Sequence, residues 1–384
     1  MKRVVIRPWF ITPPRITPNI WTNIHEILDP EYIRNETGQR LQRFLWEDFS
    51  LIVSALSAME NINEYFIEWN EENDYHPELY KACFAPISEK WIGQLTKLTI
   101  KVPSQLLKSL ASIRLRNLVT FEYHFCTGQM SLRDIDDIYN GFLVFVNNLK
   151  DSLEYISFIS THTSLNLDIT RIYKWLGPFP KLRSISLSVP FDGAHLSDPS
   201  VFVQFLEKHR STLKDISVLT SRCTVHTVPG HPDGINWIQK ILTLVDSPFP
   251  RLRNLALAMR PLRTPLTNVS NFLEMHISTL DSLILADRTL DYCGLERLFK
   301  TASGPLGLRH LRVKLTNLSP KILYYLASKM PGLVNLDIEC YSIVNCHSYN
   351  DFVCFSFFLF RCFFILTCAF FDMIGRILQC NHCQ

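Results

Sequence analysis

The segment Pro250–Met259, PRLRNLALAM, decides how the chain is read. Leu252, Leu255 and Leu257 stand in the spacing L-x-x-L-x-L, and the spacing returns at Leu280, Leu283 and Leu285. Upstream it is kept by Leu213, Ile216 and Val218, by Leu182, Ile185 and Leu187, and by Leu153, Ile156 and Phe158. Leu118, Phe121 and Tyr123 form one earlier copy, Leu95, Leu98 and Ile100 another, and a softened copy opens at Ile62. Downstream, Leu308, Leu311 and Val313 precede a last copy at Leu333, Leu336 and Ile338. The interval between copies runs from 23 residues (Leu95 to Leu118) to 39 (Leu213 to Leu252). Most intervals lie at or just above those of leucine-rich repeats.

Residues two apart on a strand share a face, so each copy predicts a short strand with one buried side. The segments between copies have helical character. Asp198-Pro199 stands ahead of the apolar run ending at His209, Asn268 ahead of VSNFLEMH, and Ser319-Pro320 ahead of KILYYLASKM; a capping side chain before an apolar run signals a helix start. Ser131–Leu149 carries Asp134, Asp136 and Asp137 in its early turns, where a helix N-terminus favours acids. Pro180, Pro250 and Pro331 fall just before expected strands, where a helix must end. Strands alternating with helices in one register predict an α/β fold, a leucine-rich-repeat-like solenoid with parallel strands on the concave face and helices on the convex face. Nearer the N-terminus, Arg3–Trp9 reads as a strand, Trp46–Met59 as a helix and Asn70–Pro77 as a loop.

Composition narrows the function classes. The 384 residues are 47% hydrophobic and 20% charged with a formal net charge of +3, which makes no electrostatic case for binding nucleic acid. Cys83, Cys126, Cys223 and Cys293 are scattered, as in a reduced cytoplasmic or nuclear protein. MKRVVIRPWFITPP lacks the long apolar core of a secretory signal.

The phrases LRNLALAMRPLRTPLT (252–267), STLDSLILADRTL (278–290) and SPKILYYLASKMPGLVNLDIEC (319–340) carry a family likeness. Over Arg3–Tyr341 the chain resembles a leucine-rich-repeat protein of the F-box class, of the divergent kind common in fungi. That resemblance implies an N-terminal F-box docked on a Skp-family adaptor of a cullin ubiquitin ligase, with the repeats selecting the substrate. Ile16–Leu28 (ITPNIWTNIHEIL) has Pro18, Ile20, Trp21, Ile24 and Leu28 at F-box-like spacings, but Pro30 breaks the pattern and no later F-box helices follow in recognisable form. The expectation is a substrate receptor whose chain begins inside the array; the alternatives are a stand-alone repeat scaffold or, if the C-terminal apolar run is a transmembrane helix, a membrane-anchored adaptor. Three regions follow: 1–90, divergent N-terminal repeats or a cap; 91–341, the repeat array; and 342–384, an anomalous tail.

If the motif residues point inward, alternate positions line the concave surface. Near one end these are Glu64, Phe66 and Glu68 beside Lys97, Thr99 and Lys101; near the other, His310, Arg312 and Lys314 beside Asn335, Asp337 and Glu339. Adjacent acidic and basic strands are expected to neutralise one another. The centre is smaller and nearly uncharged, and there Ser184, Ser186, Ser188, Asn254, Ala256, Ala258, Ser282 and Ile284 are the candidate partner-binding residues for a protein ligand, with Ala286 beside them.

Catalytic chemistry is not signalled. The chain has no G-x-x-x-x-G-K-[ST], G-x-G-x-x-G, H-E-x-x-H or G-x-S-x-G, so no catalytic, cofactor-binding or metal residue is assigned and no enzyme is expected. His226, His231 and Asp233 sit in a Pro/Gly-rich stretch that reads as an inter-repeat loop, and the C-x-x-C of Cys380–Cys383 lacks the second pair of a structural zinc site. The tail is a different matter. FVCFSFFLFRCFFILTCAFF (Phe352–Phe371) has the length of a membrane-spanning helix, with Arg361 near its middle opposing that reading. The preferred reading, since the repeat pattern stops after Tyr341 and Phe, Cys, Ser, Leu and Ile have pyrimidine-rich or U-rich codons, is a translated intron from about Ser342 onward; a buried capping helix is the third.

Overall fold

Every expected copy of the L-x-x-L-x-L spacing is a β-strand, and the strands run parallel in chain order. In the computed structural model of the chain the described residues are 2–7, 50–69, 77–102, 107–125, 135–136, 138–160, 168–190, 196–221, 237–259, 266–300, 305–343 and 363–364. They form two compact units, Met1–Leu153 and Glu154–Gln384. Each is an α/β solenoid-like repeat of parallel strands alternating with helices.

The first unit holds β1 (Lys2–Ile6), β2 (Ile62–Glu68), β3 (Lys97–Val102) and β4 (Thr120–Phe125), paired in that order. Residues 50–57 are helical, as the Trp46–Met59 pattern predicts. Helix α1 (Pro77–Glu89) begins at a residue assigned from sequence to a loop, and it contains Pro86. Proline suits a first helical turn, where its missing N–H has no partner to lose. The short α2 (Leu107–Leu110) lies against a π-helical turn, Ile138–Phe142, which leads into α3 (Leu143–Asn148). Gly141 permits that approach, since a Cβ there would stand 2.6 Å from the Lys108 Cα. Of the residues expected to open this helix, Asp136 is among the described ones; Ser131, Asp134 and Asp137 lie outside them.

The second unit contains β5 (Tyr155–Ser160), β6 (Ser184–Val189), β7 (Asp215–Thr220), β8 (Asn254–Ala258), β9 (Ser282–Leu290), β10 (His310–Leu318), β11 (Asn335–Ile343) and the two-residue β12 (Phe363–Phe364). Between them run α4 (Ile169–Trp175), α5 (Pro199–Lys208), α6 (Trp237–Leu244), α7 (Thr267–His276), α8 (Tyr292–Leu298) and α9 (Pro320–Lys329). Motif residues are in register across neighbouring strands, Leu255 opposite Leu283 and Leu257 opposite Leu285. They are buried, except that Leu333 in the last full copy is half-buried. The core lies between strands and helices: Phe158 of β5 meets Tyr173 of α4, which in turn meets Phe202 and Phe205 of α5. Burying each large side chain is worth about 1.5–3 kcal/mol.

The backbone at the strand entrances is satisfied by a recurring bond. The Glu154 carbonyl accepts the N–H groups of Arg183 and Ser184, and the Arg183 carbonyl those of Lys214 and Asp215. Lys214, Arg253, Asp281 and Arg309 continue the series, each carbonyl taking two N–H groups of the next repeat at 2.7–3.0 Å. Buried backbone groups must be paired, and this ladder pairs them.

The turn before each strand alternates between two forms. The Leu95, Leu153, Leu213 and Leu280 N–H groups reach back four residues, to the carbonyls of Trp91, Leu149, His209 and His276. Leu118, Leu182 and Leu252 reach back only three, to Leu115, Phe179 and Phe249. From β3 to β9 the forms strictly alternate, so the structural period is two repeats.

Two cap expectations hold. Asp198 accepts from the Ser200 N–H at 2.9 Å at the start of α5, and Ser319 from the Ile322 N–H at the start of α9. The third does not: α7 begins at Thr267, ahead of Asn268, and its N-cap position is taken by Leu266, with no side-chain cap bond. Elsewhere β11 continues past Tyr341 to Ile343, pairing there with Leu318. In β9 three residues, Ala286 to Arg288, bulge out between the pairs Leu285–Val313 and Thr289–Lys314. Asp287 takes a left-handed φ of 68° at that bulge and accepts a hydrogen bond from the Thr220 hydroxyl. The F-box-like stretch 16–28, the loop with His226, His231 and Asp233, and the tail from residue 344 apart from 363–364 lie outside the described residues.

Candidate functional site

The strand face turned away from the helices is the candidate site, and in the second unit strand register builds it. Ser157, Ser186, Ser217, Ala256 and Ile284 stand opposite one another in a single row across β5 to β9. A second row runs Tyr155, Ser184, Asp215, Asn254 and Ser282. Asn254 donates to the Asp215 carboxylate, which fixes both side chains.

Six of the eight candidate residues are accessible: Ser184, Ser186, Ser188, Ser282 and Ile284 are half-buried and Asn254 is exposed. Ala256 and Ala258 differ, being 9% and 0% exposed. Their methyl groups are too short to clear their neighbours, so facing away from the helices does not make them a surface. Sequence reading passed over Ser157 and Ser217, although each holds the place between the second and third motif positions that singled out Ser186.

The two ends of the strand series are charged and internally paired. In the first unit Arg3 lies 4.0 Å from Glu64, and Glu68 lies 3.1 Å from Arg7 and 3.7 Å from Lys101. His124 bonds Glu122 at 2.8 Å; this bond, helped by the charges of His124 and Lys97, holds the Glu122 carboxyl below the usual carboxylate range against the opposing effect of burial. In the second unit Arg312 lies 3.2 Å from Asp337 and Lys314 2.7 Å from Glu339. The neutralisation expected from sequence is present for Glu68 with Lys101 and for the pairs between β10 and β11, while Glu64 is matched by Arg3 of β1. Exposed pairs of this kind contribute about 0.2–1 kcal/mol each.

No reactive constellation interrupts this surface among the described residues. Burial pushes the Cys83 thiol up to about 12, which leaves it protonated and inert. No group of three His, Cys, Asp or Glu side chains is placed to hold a metal ion among the described residues. A groove on the helix side, lined by Gln239, Lys240, Thr243, Leu244 and Asn268, brings together no acid–base pair among the described residues. No helix among the described residues is long and apolar enough to cross a membrane. Comparison with protein-family models and with curated proteins gives no match.

Proposed function

We propose that the chain is a protein-interaction module that holds a protein partner against the open strand face of the Glu154–Gln384 unit. The observation that carries this reading is the registered row Ser157, Ser186, Ser217, Ala256 and Ile284. It is an uncharged strip in which half-buried Ser157, Ser186, Ser217 and Ile284 flank the enclosed Ala256, with three hydroxyls for hydrogen bonding, bordered at β10 and β11 by the pairs Arg312–Asp337 and Lys314–Glu339. The likeness to F-box leucine-rich-repeat proteins extends the reading: the module serves as the substrate-recognition part of a ubiquitin ligase receptor, in the cytoplasm or nucleus.

Mixing the purified chain with a recombinant Skp-family adaptor tests the ligase role. The adaptor is a partner only if an F-box is present in the chain: co-elution in size-exclusion chromatography supports that direct link, and separate elution removes it and leaves a stand-alone scaffold. The face is tested by Ser186→Arg with Ser217→Arg, measured against a partner identified by cross-linking to the wild-type chain. Binding should fall at least tenfold with the melting temperature unchanged, and undiminished binding overturns the site.

A further inference from the structure

The turns before β7 and β9 share a construction that the leucine spacing does not require. FLEKHRSTL (205–213) and FLEMHISTL (272–280) differ at two of nine positions, and each ends a helix on a buried histidine. His209 and His276 are 3% and 0% exposed. The Nδ1 of His209 lies 2.8 Å from the Phe205 carbonyl in its own helix, and its Nε2 accepts the N–H of Phe179 in the preceding repeat at 2.9 Å. His276 repeats the arrangement, 2.7 Å from the Phe272 carbonyl and 3.1 Å from the Phe249 N–H. Each ring also packs between two phenylalanines, Phe205 and Phe179 around His209, Phe272 and Phe249 around His276.

The chemistry of these bonds admits one protonation state. A backbone N–H can only donate, so Nε2 must present its lone pair and the single ring proton sits on Nδ1, facing a carbonyl. A second proton on Nε2 would point at the Phe179 or Phe249 N–H and break the only bond from that ring to the neighbouring repeat. We infer that His209 and His276 are acid-released clasps, each holding its repeat to the preceding one while neutral and letting go when protonated at Nε2.

Burial lowers both histidine pKa values below the ordinary 6.5, against the hydrogen bonds to Phe205 and Phe272, which favour the charged form. Lys208 adds a like charge against His209. Charged groups on the elements packed there include Glu207 and Asp246, both paired with Arg210, and Lys181 and Arg183 on the preceding turn; for His276 they include Glu274, and Asp246, Arg251 and Arg253 on the preceding turn. The direction is therefore fixed. The unfolded chain takes up protons near pH 6.5 and the folded chain does not, so stability is complete above that pH and declines as pH falls through the lower folded values.

The first unit supplies an internal control. Trp91 holds the same place in its turn and also bonds to the preceding repeat, with the direction reversed: its indole N–H donates to the Met59 carbonyl at 3.0 Å. An indole does not titrate, so this clasp is indifferent to pH. Leu149 fills the equivalent position ahead of β5 with no ring at all.

Hydrogen exchange of the full chain between pH 7.5 and 5 tests the inference. After correction for intrinsic rates, protection of the Phe179 and Phe249 amides should fall about tenfold for each pH unit over which the fold withholds the proton. The Trp91 indole should keep its protection. Equal pH responses at all three sites, or none at Phe179 and Phe249, overturn the clasp. The variant His209→Leu with His276→Leu should melt at a temperature that depends less on pH than the wild type; an unchanged dependence also overturns it. Any effect of acid on partner release rests on the proposed interaction face. Exchange on the partner-free chain keeps the two claims separable.

Discussion

Ala258 and Ser186 mark the difference between facing the open side of a sheet and being reachable there. Both occupy alternate positions of their strands, yet Ala258 is fully enclosed while Ser186 is half-buried. Arginine at 258 must displace packed neighbours, and overpacking of that kind costs about 1–3 kcal/mol. Arginine at 186 has room to extend, and its effect on stability should stay within about 0.5 kcal/mol. Chemical denaturation of the two variants checks this, and a loss at 186 equal to that at 258 contradicts the assignment of the face. Side-chain direction was therefore legible at single residues from the period of two. Accessibility was not, because it depends on the length of neighbours on adjacent strands.

Among elements, strands were more legible than helices, and the physical reason lies in what each signal records. A strand here needs two inward residues at fixed spacing, and Leu255 with Leu257 states that in the sequence itself. A helix start depends on which residue leaves its extended conformation first, and Asn268 shows how a capping residue misleads when it already lies inside the helix. Asp198→Ala should destabilise the chain by about 1 kcal/mol, since it removes the acceptor for the Ser200 N–H. Asn268→Ala removes a bond to the Thr243 hydroxyl on an exposed face and should change stability by no more than about 0.5 kcal/mol. Thermal melts of the two variants compare them, and equal losses would restore Asn268 as a cap. Helix α1 escaped the reading because Pro77 and Pro86 both argue against a helix, although a first-turn proline costs nothing. The recurrence of FLExHxSTL was present in the letters but hidden from a search for leucines, because its decisive residue is a histidine that only the hydrogen bonds identify as structural.

For the whole molecule, the energetics follow from contacts that run from one repeat to the next. Strand pairs, the carbonyl ladder and successive helix contacts link nearest neighbours along the chain. In such arrays stability is close to a sum of repeat terms and neighbour terms. Leu257→Ala removes a side chain 3% exposed and should cost about 2–5 kcal/mol locally. Exchange protection should drop in β7, β8 and β9, with β2 and β3 unaffected; a uniform loss over the chain would show global cooperativity instead. The solenoid class was readable at this scale because the motif recurs, and recurrence survives errors at any one copy. Function was less readable, since an interaction face needs no rare residue type.

The alternation of three-residue and four-residue turns restricts how this chain can gain or lose length. Excising Lys214–Leu252 would bring two four-residue turns side by side, with His209 and His276 in consecutive repeats and no Phe249 N–H between them. Excising Lys214–Leu280 joins equivalent points and restores the original order. Viable length variants should therefore differ by pairs of repeats, with Leu213 and Leu280 as interchangeable splice points, which makes the doublet the heritable quantum of the array.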